Sequence, residues 1–181
     1  MWEKPLARDE RNHGDCRRML PKPMITVVGV DVGKTGAIAL IGHFGSVSIW
    51  ETPMIKGKGK SEYDLQTLVN EIFPKLPRDP FFFVEKTQPM PPKMGGSVAN
   101  FHRGVGRGWE WMLAGMRHRY QLVSPRTWQK EMLKDVEGKD TKQKSLVQAK
   151  RLFPKAKIGK HHGISDALLI AEYGRRQLGI L

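Results

Sequence analysis

Apolar residues along this chain form short runs punctuated by glycine, a pattern that predicts strands first and mostly helices later. Residues 24–31 (MITVVGVD), 35–41 (TGAIALI) and 46–51 (SVSIWE) predict three strands. Their close succession indicates an antiparallel meander. Residues 81–84 (FFFV) and 120–123 predict a fourth and a fifth strand, and the first and fourth runs are apolar enough to be buried.

Helical spacing of apolar residues predicts helices between and after these strands. The predicted helices cover residues 61–73, 97–116, 125–133, 142–153 and 165–178. Ser61 is the predicted N-cap of the first helix, and residues 56–60 (KGKGK) and 87–96 (TQPMPPKMGG) are predicted loops. Residues 1–22 lack periodicity and are a predicted flexible leader before a single domain over residues 23–181. The order of elements predicts an α/β fold, a mixed five-stranded sheet with helices on both faces.

Charge narrows the classes of partner. The chain carries 31 Lys and Arg against 18 Asp and Glu, a formal net charge of +13, which favours a polyanionic partner such as nucleic acid. Anionic lipid, or charge that serves solubility alone, stays open on composition. Cys16 is the only cysteine, which indicates an intracellular protein without an intrachain disulfide. No apolar run approaches the roughly 20 residues that span a bilayer, so we expect a soluble protein without a membrane partner.

Three acids occupy positions that favour chemistry. Asp31 and Glu85 each stand where an apolar run ends, and Asp166 lies in the last predicted helical region. Two acids at neighbouring strand ends and a third on a late helix are a recurrent arrangement for Mg²⁺ or Mn²⁺, which prefer oxygen ligands. His162 precedes Asp166 by four residues and would share its helical face. The alternatives are solvated strand ends, a solvated histidine and an acid that complements a helix dipole.

Four segments of the chain resemble the successive motifs of one known family. They are GVDVGKTGAIAL, FFFVEKTQ, KQKSLVQAKRLFP and HHGISDALLIAEYG. The sequence resembles the RuvC-type Holliday junction resolvases of the RNase H-like superfamily over about residues 24–178, and especially their bacteriophage and plastid (monokaryotic chloroplast) branch. The resemblance implies an RNase H-like homodimer that nicks four-way DNA junctions symmetrically during recombination and repair. It also implies the cytoplasm of bacteria or phage-infected cells, or a plastid.

The resemblance further implies a catalytic metal site, with two Mg²⁺ or Mn²⁺ ions about 3.5 to 4 Å apart. The ligands that it implies are Asp31, Glu85, His162 and Asp166. Lys144 matches a lysine that contacts the phosphate near the site. Typical bacterial members carry two acids three residues apart in the last motif, whereas Gly163 stands three residues before Asp166 here. His162 is therefore the predicted fourth ligand, with His161 as the alternative, and it could instead orient or deprotonate the attacking water.

The loop after Glu85 corresponds to the region that enters the junction centre in this family. Met90, Met94 and Phe101 are candidate wedges between bases, with core packing as the alternative for each. The other predicted DNA contacts are basic residues near the loop or in the C-terminal third: Lys86, Lys93, Arg103, Lys142, Lys144, Lys150, Lys160 and His161. The alternative for these residues is a solvated surface.

Two other functions fit parts of the pattern. A non-catalytic protein of junctions or of the nucleoid would explain the charge without a metal site. A nucleotide-binding member of the same fold would explain GVDVGKT, which is similar to the first phosphate motif of the actin-like ATPases and sugar kinases, but 181 residues are too few for their two domains. GVDVGKT is also one residue too short between its glycines for a P-loop.

Overall fold

The computed structural model of the protein describes residues 25–42, 44–56, 61–87, 96–159 and 162–180. Within those ranges, residues 56, 61 and 96–103 are described by their backbone alone. The predicted leader over residues 1–22 lies outside the described residues. No helix in the described part of the chain is long and apolar enough to cross a membrane.

Seven strands are present among the described residues. They are β1 (Val27–Asp31), β2 (Ala37–Ile41), β3 (Val47–Glu51), β4 (Met54–Lys56), β5 (Ser61–Tyr63), β6 (Phe81–Glu85) and β7 (Arg119–Val123). Five of them form one sheet in the order β3-β2-β1-β6-β7. β1 pairs antiparallel with β2 and parallel with β6, and β6 pairs parallel with β7. The predicted meander and mixed five-stranded sheet are confirmed, with β1 at the centre.

The helices follow the predicted order. They are α1 (Leu65–Thr67), α2 (Gly96–Gly115), α3 (Pro125–Met132), α4 (Thr141–Leu152) and α5 (His162–Gln177). α1 continues as a π-helical segment and then a 3-10 turn that ends at Lys75. Asp140 caps α4, since its carboxylate accepts the Gln143 N–H at 2.8 Å, and Ser124 caps α3 in the same way. These caps satisfy backbone donors that have no partner inside a helix.

Two predicted boundaries are wrong. Ser61–Tyr63 forms a strand paired with Met54–Lys56, so the predicted helix over residues 61–73 starts late and Asp64, not Ser61, is its N-cap. Lys56, which was predicted to lie in a loop, is the last residue of the first strand of this hairpin. The rest of that predicted loop, residues 57–60, lies outside the described residues. The last helix begins at His162, three residues earlier than predicted. Tertiary pairing overrides local propensity in both places.

Helices cover both faces of the sheet, as predicted. Val28 and Val30 of β1 belong to an apolar cluster that includes residues of α2 and of the segment after α1. The alternate residue Val27 belongs to a second cluster, formed with residues of α3, α4 and α5. Because side chains of a strand alternate between faces, Gly29 and Asp31 lie on the α5 face as well. The sheet is therefore the middle layer of three.

α5 lies against the central strand because both elements carry small residues where they meet. A side chain at Gly29 would collide with the backbone of α5 at Ala167 and Ala171. Glycine in β1 therefore permits a close approach that any larger residue would prevent. As a result, the first turns of α5 lie beside the end of β1, where Asp31 stands.

Candidate functional site

Three carboxylates come together at the carboxyl ends of the central strands. Asp31 is the last residue of β1, and Glu85 is the last residue of β6. The parallel register that pairs Val30 with Val84 places the two acids side by side. Both point to the α5 face, where Asp166, in the first two turns of α5, interacts electrostatically with each of them. The structure thus brings together the three acids that the sequence singled out.

Burial dominates the electrostatics of this cluster. It raises the pKa of Asp31 well above the usual range, and the negative charges of Glu85 and Asp166 raise it further. Burial also raises the pKa of Glu85, against the opposing effect of a hydrogen bond from Trp128. The pKa of Asp166 is raised by burial and lowered in part by the nearby Ser145 hydroxyl. Three carboxylates in a poorly solvated site resist full ionisation unless a cation compensates their charge.

Trp128 is a member of the site that sequence reasoning missed. Its side chain is fully buried, and its indole N–H donates to Glu85 Oε1 at 2.9 Å. A buried tryptophan needs an acceptor for its N–H, and that requirement was the available signal. The sequence does not say which acceptor it finds, because the two residues are 43 positions apart.

The chemistry of the cluster fits a hard divalent cation. Carboxylate oxygens are the ligands that Mg²⁺ and Mn²⁺ prefer. Asp166 Oδ1 is buried and has no hydrogen-bond partner among the described residues, so it is an oxygen with unused acceptor capacity. No three His, Cys, Asp or Glu side chains of the described part are arranged as a ready-made metal site.

His162 lies at the rim of the site. It is the first residue of α5 and its side chain is exposed. It is near enough to Asp166 to lower the pKa of that carboxyl in part. His161, the alternative fourth ligand, lies outside the described residues.

Gly163, three residues before Asp166, stands where the fold leaves no space for a side chain. A Cβ at this position would collide with the Thr35 carbonyl oxygen. It would also stand 2.9 Å from Gly36 Cα and 3.0 Å from Asp31 Oδ2. Carbon atoms in ordinary contact are about 3.5 to 4.0 Å apart, so this backbone has no room for any side chain here. The first turn of α5 is instead packed directly on the turn between β1 and β2.

A basic groove of about 1140 Å³ opens beside Glu85. Its walls come mainly from α3, the start of α4 and the residues after β6. Five cations line it: Lys86, Arg126, Lys130, Lys134 and Lys144. None of them forms an ion pair with another residue that the structure describes, whereas Arg107, Arg119 and Arg175 elsewhere are paired with acids. The groove therefore concentrates uncompensated positive charge next to the carboxylates.

Only part of the predicted DNA-contact set can be located. Lys86 and Lys144 line the groove, and Lys142 is near enough to Asp166 to lower its pKa in part. Lys150 is exposed on α4 but is not among the residues that line the groove. The predicted contacts that lie outside the described residues are Met90, Lys93, Met94, Lys160 and His161. Phe101 and Arg103 fall in α2, where only their backbone is described.

Sequence reasoning also missed three of the groove cations and a tyrosine. Arg126, Lys130 and Lys134 come from α3 and the turn that follows it, a short segment with no motif to mark it. The Tyr63 hydroxyl donates to the Gly33 carbonyl oxygen at 2.9 Å and so ties the β4–β5 hairpin to the turn after β1. Burial raises the pKa of Tyr63, which keeps its hydroxyl protonated as a donor.

Comparisons with known proteins identify the fold. No protein-family model and no curated protein matches the chain. Among solved structures, Thermus thermophilus RuvC is 15% identical, with a TM-score of 0.48, over 86% of this chain and 98% of that one. RuvC of T. thermophilus in complex with a Holliday junction substrate is 12% identical, with a TM-score of 0.54, over 86% of this chain and 97% of that one. On the second of these likenesses, the chain has the RNase H-like fold of RuvC.

Proposed function

We propose that this protein is a metal-dependent endodeoxyribonuclease that resolves four-way DNA junctions in recombination and repair. The observation that carries the proposal is the convergence of Asp31, Glu85 and Asp166 beside a groove of unpaired cations. The fold shared with a protein solved on a Holliday junction substrate supports the choice of a four-way junction. Because of the motif resemblance, we further propose that the protein belongs to the bacteriophage or plastid branch of these resolvases.

The proposed ligands of two Mg²⁺ or Mn²⁺ ions are Asp31, Glu85 and Asp166, with His162 at the exposed rim as the fourth. Bound ions of this kind activate water and neutralise charge on the scissile phosphate. Asp31 and Glu85 stand on strand ends, which gives the site a rigid base. Lys144 lines the groove next to the cluster, and we expect its ammonium group to hold a phosphate oxygen. The expected products are a 5′-phosphate and a 3′-hydroxyl.

The groove cations are the proposed binding surface for the phosphodiester backbone. Arg126 and Lys130 are four residues apart on α3, which puts them on one helical face with a rise of about 6 Å between them. Such spacing lets neighbouring side chains reach successive phosphates of one strand. Backbone contacts of this kind carry no sequence information, and they weaken as salt concentration rises.

A homodimer completes the proposal. A four-way junction offers two equivalent strands to cut, and a dimer with twofold symmetry supplies two matched sites. Sedimentation analysis with and without junction DNA tests this assembly, and a monomer under both conditions would contradict it.

Cleavage of labelled DNA by the purified protein tests the function. Wild-type protein is incubated with a four-way junction or a linear duplex, in Mg²⁺ or in EDTA. We expect paired symmetric nicks in the junction alone, in Mg²⁺ alone, and none with Asp31→Asn. Asp79→Asn is the matched control, because Asp79 is exposed and paired with Arg119 at the opposite end of the sheet. Nicking in EDTA, or by Asp31→Asn, would refute the metal mechanism.

Junction binding without cleavage under every condition would instead support the non-catalytic alternative.

The groove is tested separately by Arg126→Ala and Lys130→Ala. Each is expected to weaken binding of all sequences and to lower the slope of log affinity against log salt by about 1. Arg119→Ala, which removes a cation at the far end of β7, should leave that slope unchanged.

A further inference from the structure

The Trp128 indole lies in the apolar core and donates its hydrogen bond to a carboxylate of the candidate site. Its side chain is fully buried and belongs to the cluster that also contains Val123, Met132 and Leu168. The only polar atom of the side chain donates to Glu85 Oε1 at 2.9 Å. A backbone carbonyl would satisfy the indole equally well. Here the acceptor is one of the three carboxylates of the candidate site.

This hydrogen bond restricts the carboxylate that it engages. A glutamate side chain has three rotatable bonds and loses rotamer freedom when it is held in one geometry. The bond holds Glu85 Oε1, and the Asp31 carboxyl lies within hydrogen-bonding reach of the same side chain.

The same helix connects the carboxylates to the groove. α3 begins at a Ser124 cap and at Pro125, which fix its first turn. Trp128 faces the core, while Arg126 and Lys130 line the groove. Movement of α3 would therefore move the groove cations and Glu85 together.

We infer that Trp128 is a positioning residue that orients Glu85 for a divalent cation. It also keeps the carboxylates at a fixed position relative to the basic groove. The inference rests on the proposed function, because it assigns Glu85 as a metal ligand. Partners that orient metal ligands change metal affinity by about 10- to 100-fold when they are removed. Trp128→Phe, which deletes the donor, should therefore weaken binding of the metal itself.

Calorimetric titration of the DNA-free protein with Mn²⁺ tests this directly. Trp128→Phe is expected to raise the Kd for Mn²⁺ by about 10-fold or more, with the same shift in the Mn²⁺ concentration that gives half-maximal nicking. The matched control is Met132→Ala, since Met132 is buried in the same cluster one turn along α3. It loses core packing without touching Glu85, so its Kd should stay within about twofold of wild type.

A second variant separates the hydrogen bond from the size of the side chain. Site-specific replacement of Trp128 by β-(3-benzothienyl)alanine keeps the ring shape and puts sulfur in place of the N–H. It should reproduce the loss of Mn²⁺ affinity in a protein that still unfolds cooperatively, and it serves even where Trp128→Phe does not fold. Wild-type Kd in this variant overturns the inference while the proposed function stands. If Mn²⁺ does not bind the wild-type protein at all, the proposed metal site fails first.

Discussion

Replacement of Asp31 by Asn should make the metal-free protein more stable while abolishing the proposed nuclease activity. Folding raises the pKa of Asp31 through burial and then through Glu85 and Asp166. The folded state therefore holds the Asp31 proton more tightly than the unfolded state, where the pKa is about 3.9. Above the folded pKa, ionised Asp31 destabilises the fold, and this cost disappears as the pH falls toward the unfolded pKa. Asn at this position carries no charge and avoids the cost.

The expected size of the gain follows from the burial of this carboxylate. A buried polar group without adequate partners costs about 1–3 kcal/mol, and a charged one costs more. Asn keeps the shape of Asp31, so we expect Asp31→Asn to gain about 1–3 kcal/mol at pH 8 in EDTA. For a chain of this length the gain corresponds to a rise in Tm of roughly 2–12 °C. At pH 4 the difference from wild type should be small.

Thermal and urea unfolding of both proteins at pH 4 and pH 8 in EDTA measures this difference. Added Mg²⁺ should then raise the Tm of wild type and leave Asp31→Asn unchanged, because a ligand stabilises only the state that binds it. Asp79→Asn is the control for an Asp-to-Asn change at an exposed ion pair, and it should alter stability by less than about 1 kcal/mol. A variant less stable than wild type at pH 8, or a gain that does not depend on pH, would refute the reasoning.

Three further substitutions probe the packing around the site. Gly163→Ala should cost about 1–3 kcal/mol in urea unfolding and reduce stabilisation by Mg²⁺, since its methyl group meets the Thr35 carbonyl; wild-type values would contradict the assigned packing. Tyr63→Phe should cost about 0.5–1.5 kcal/mol through loss of the bond to Gly33, and an unchanged urea midpoint would argue against it. Gly29→Ala should cost more than about 3 kcal/mol or prevent folding, because it meets the backbone of α5, and circular dichroism with urea unfolding measures this.

Strand-end chemistry was predictable because its signals are local. An apolar run that stops at an acid predicts both the strand and the place where it ends, and Asp31 and Glu85 stand where that pattern puts them. The parallel pairing of β1 with β6 is a finding of the structure, and it brings the carboxyl ends of the two strands, with their acids, to one edge of the sheet. The motif resemblance implied that Asp166 joins the two strand-end acids. The close packing of α5 on the sheet brings it there.

Other features depend on pairing and packing that the local pattern does not specify, and so they escaped prediction. Ser61–Tyr63 has a helix-compatible pattern, but it pairs with Met54–Lys56 as a strand. The start of α5 at His162 is three residues early because its first turn packs on the turn after β1, a contact that Gly163 permits. In both cases the free energy of tertiary contact exceeds the small difference in local propensity.

The sequence by itself determined the α/β class, the five-stranded sheet, the excess of positive charge and the acids at the strand ends, since periodicity, composition and strand termination are local properties. Only the tertiary structure decided how those acids meet, which helix holds Glu85 and where unpaired cations gather. Trp128 and Glu85 are 43 residues apart, and the groove cations come from three separate segments. Such contacts depend on how close the backbones approach, and small residues such as Gly29 and Gly163 set that distance through packing rather than through any local pattern.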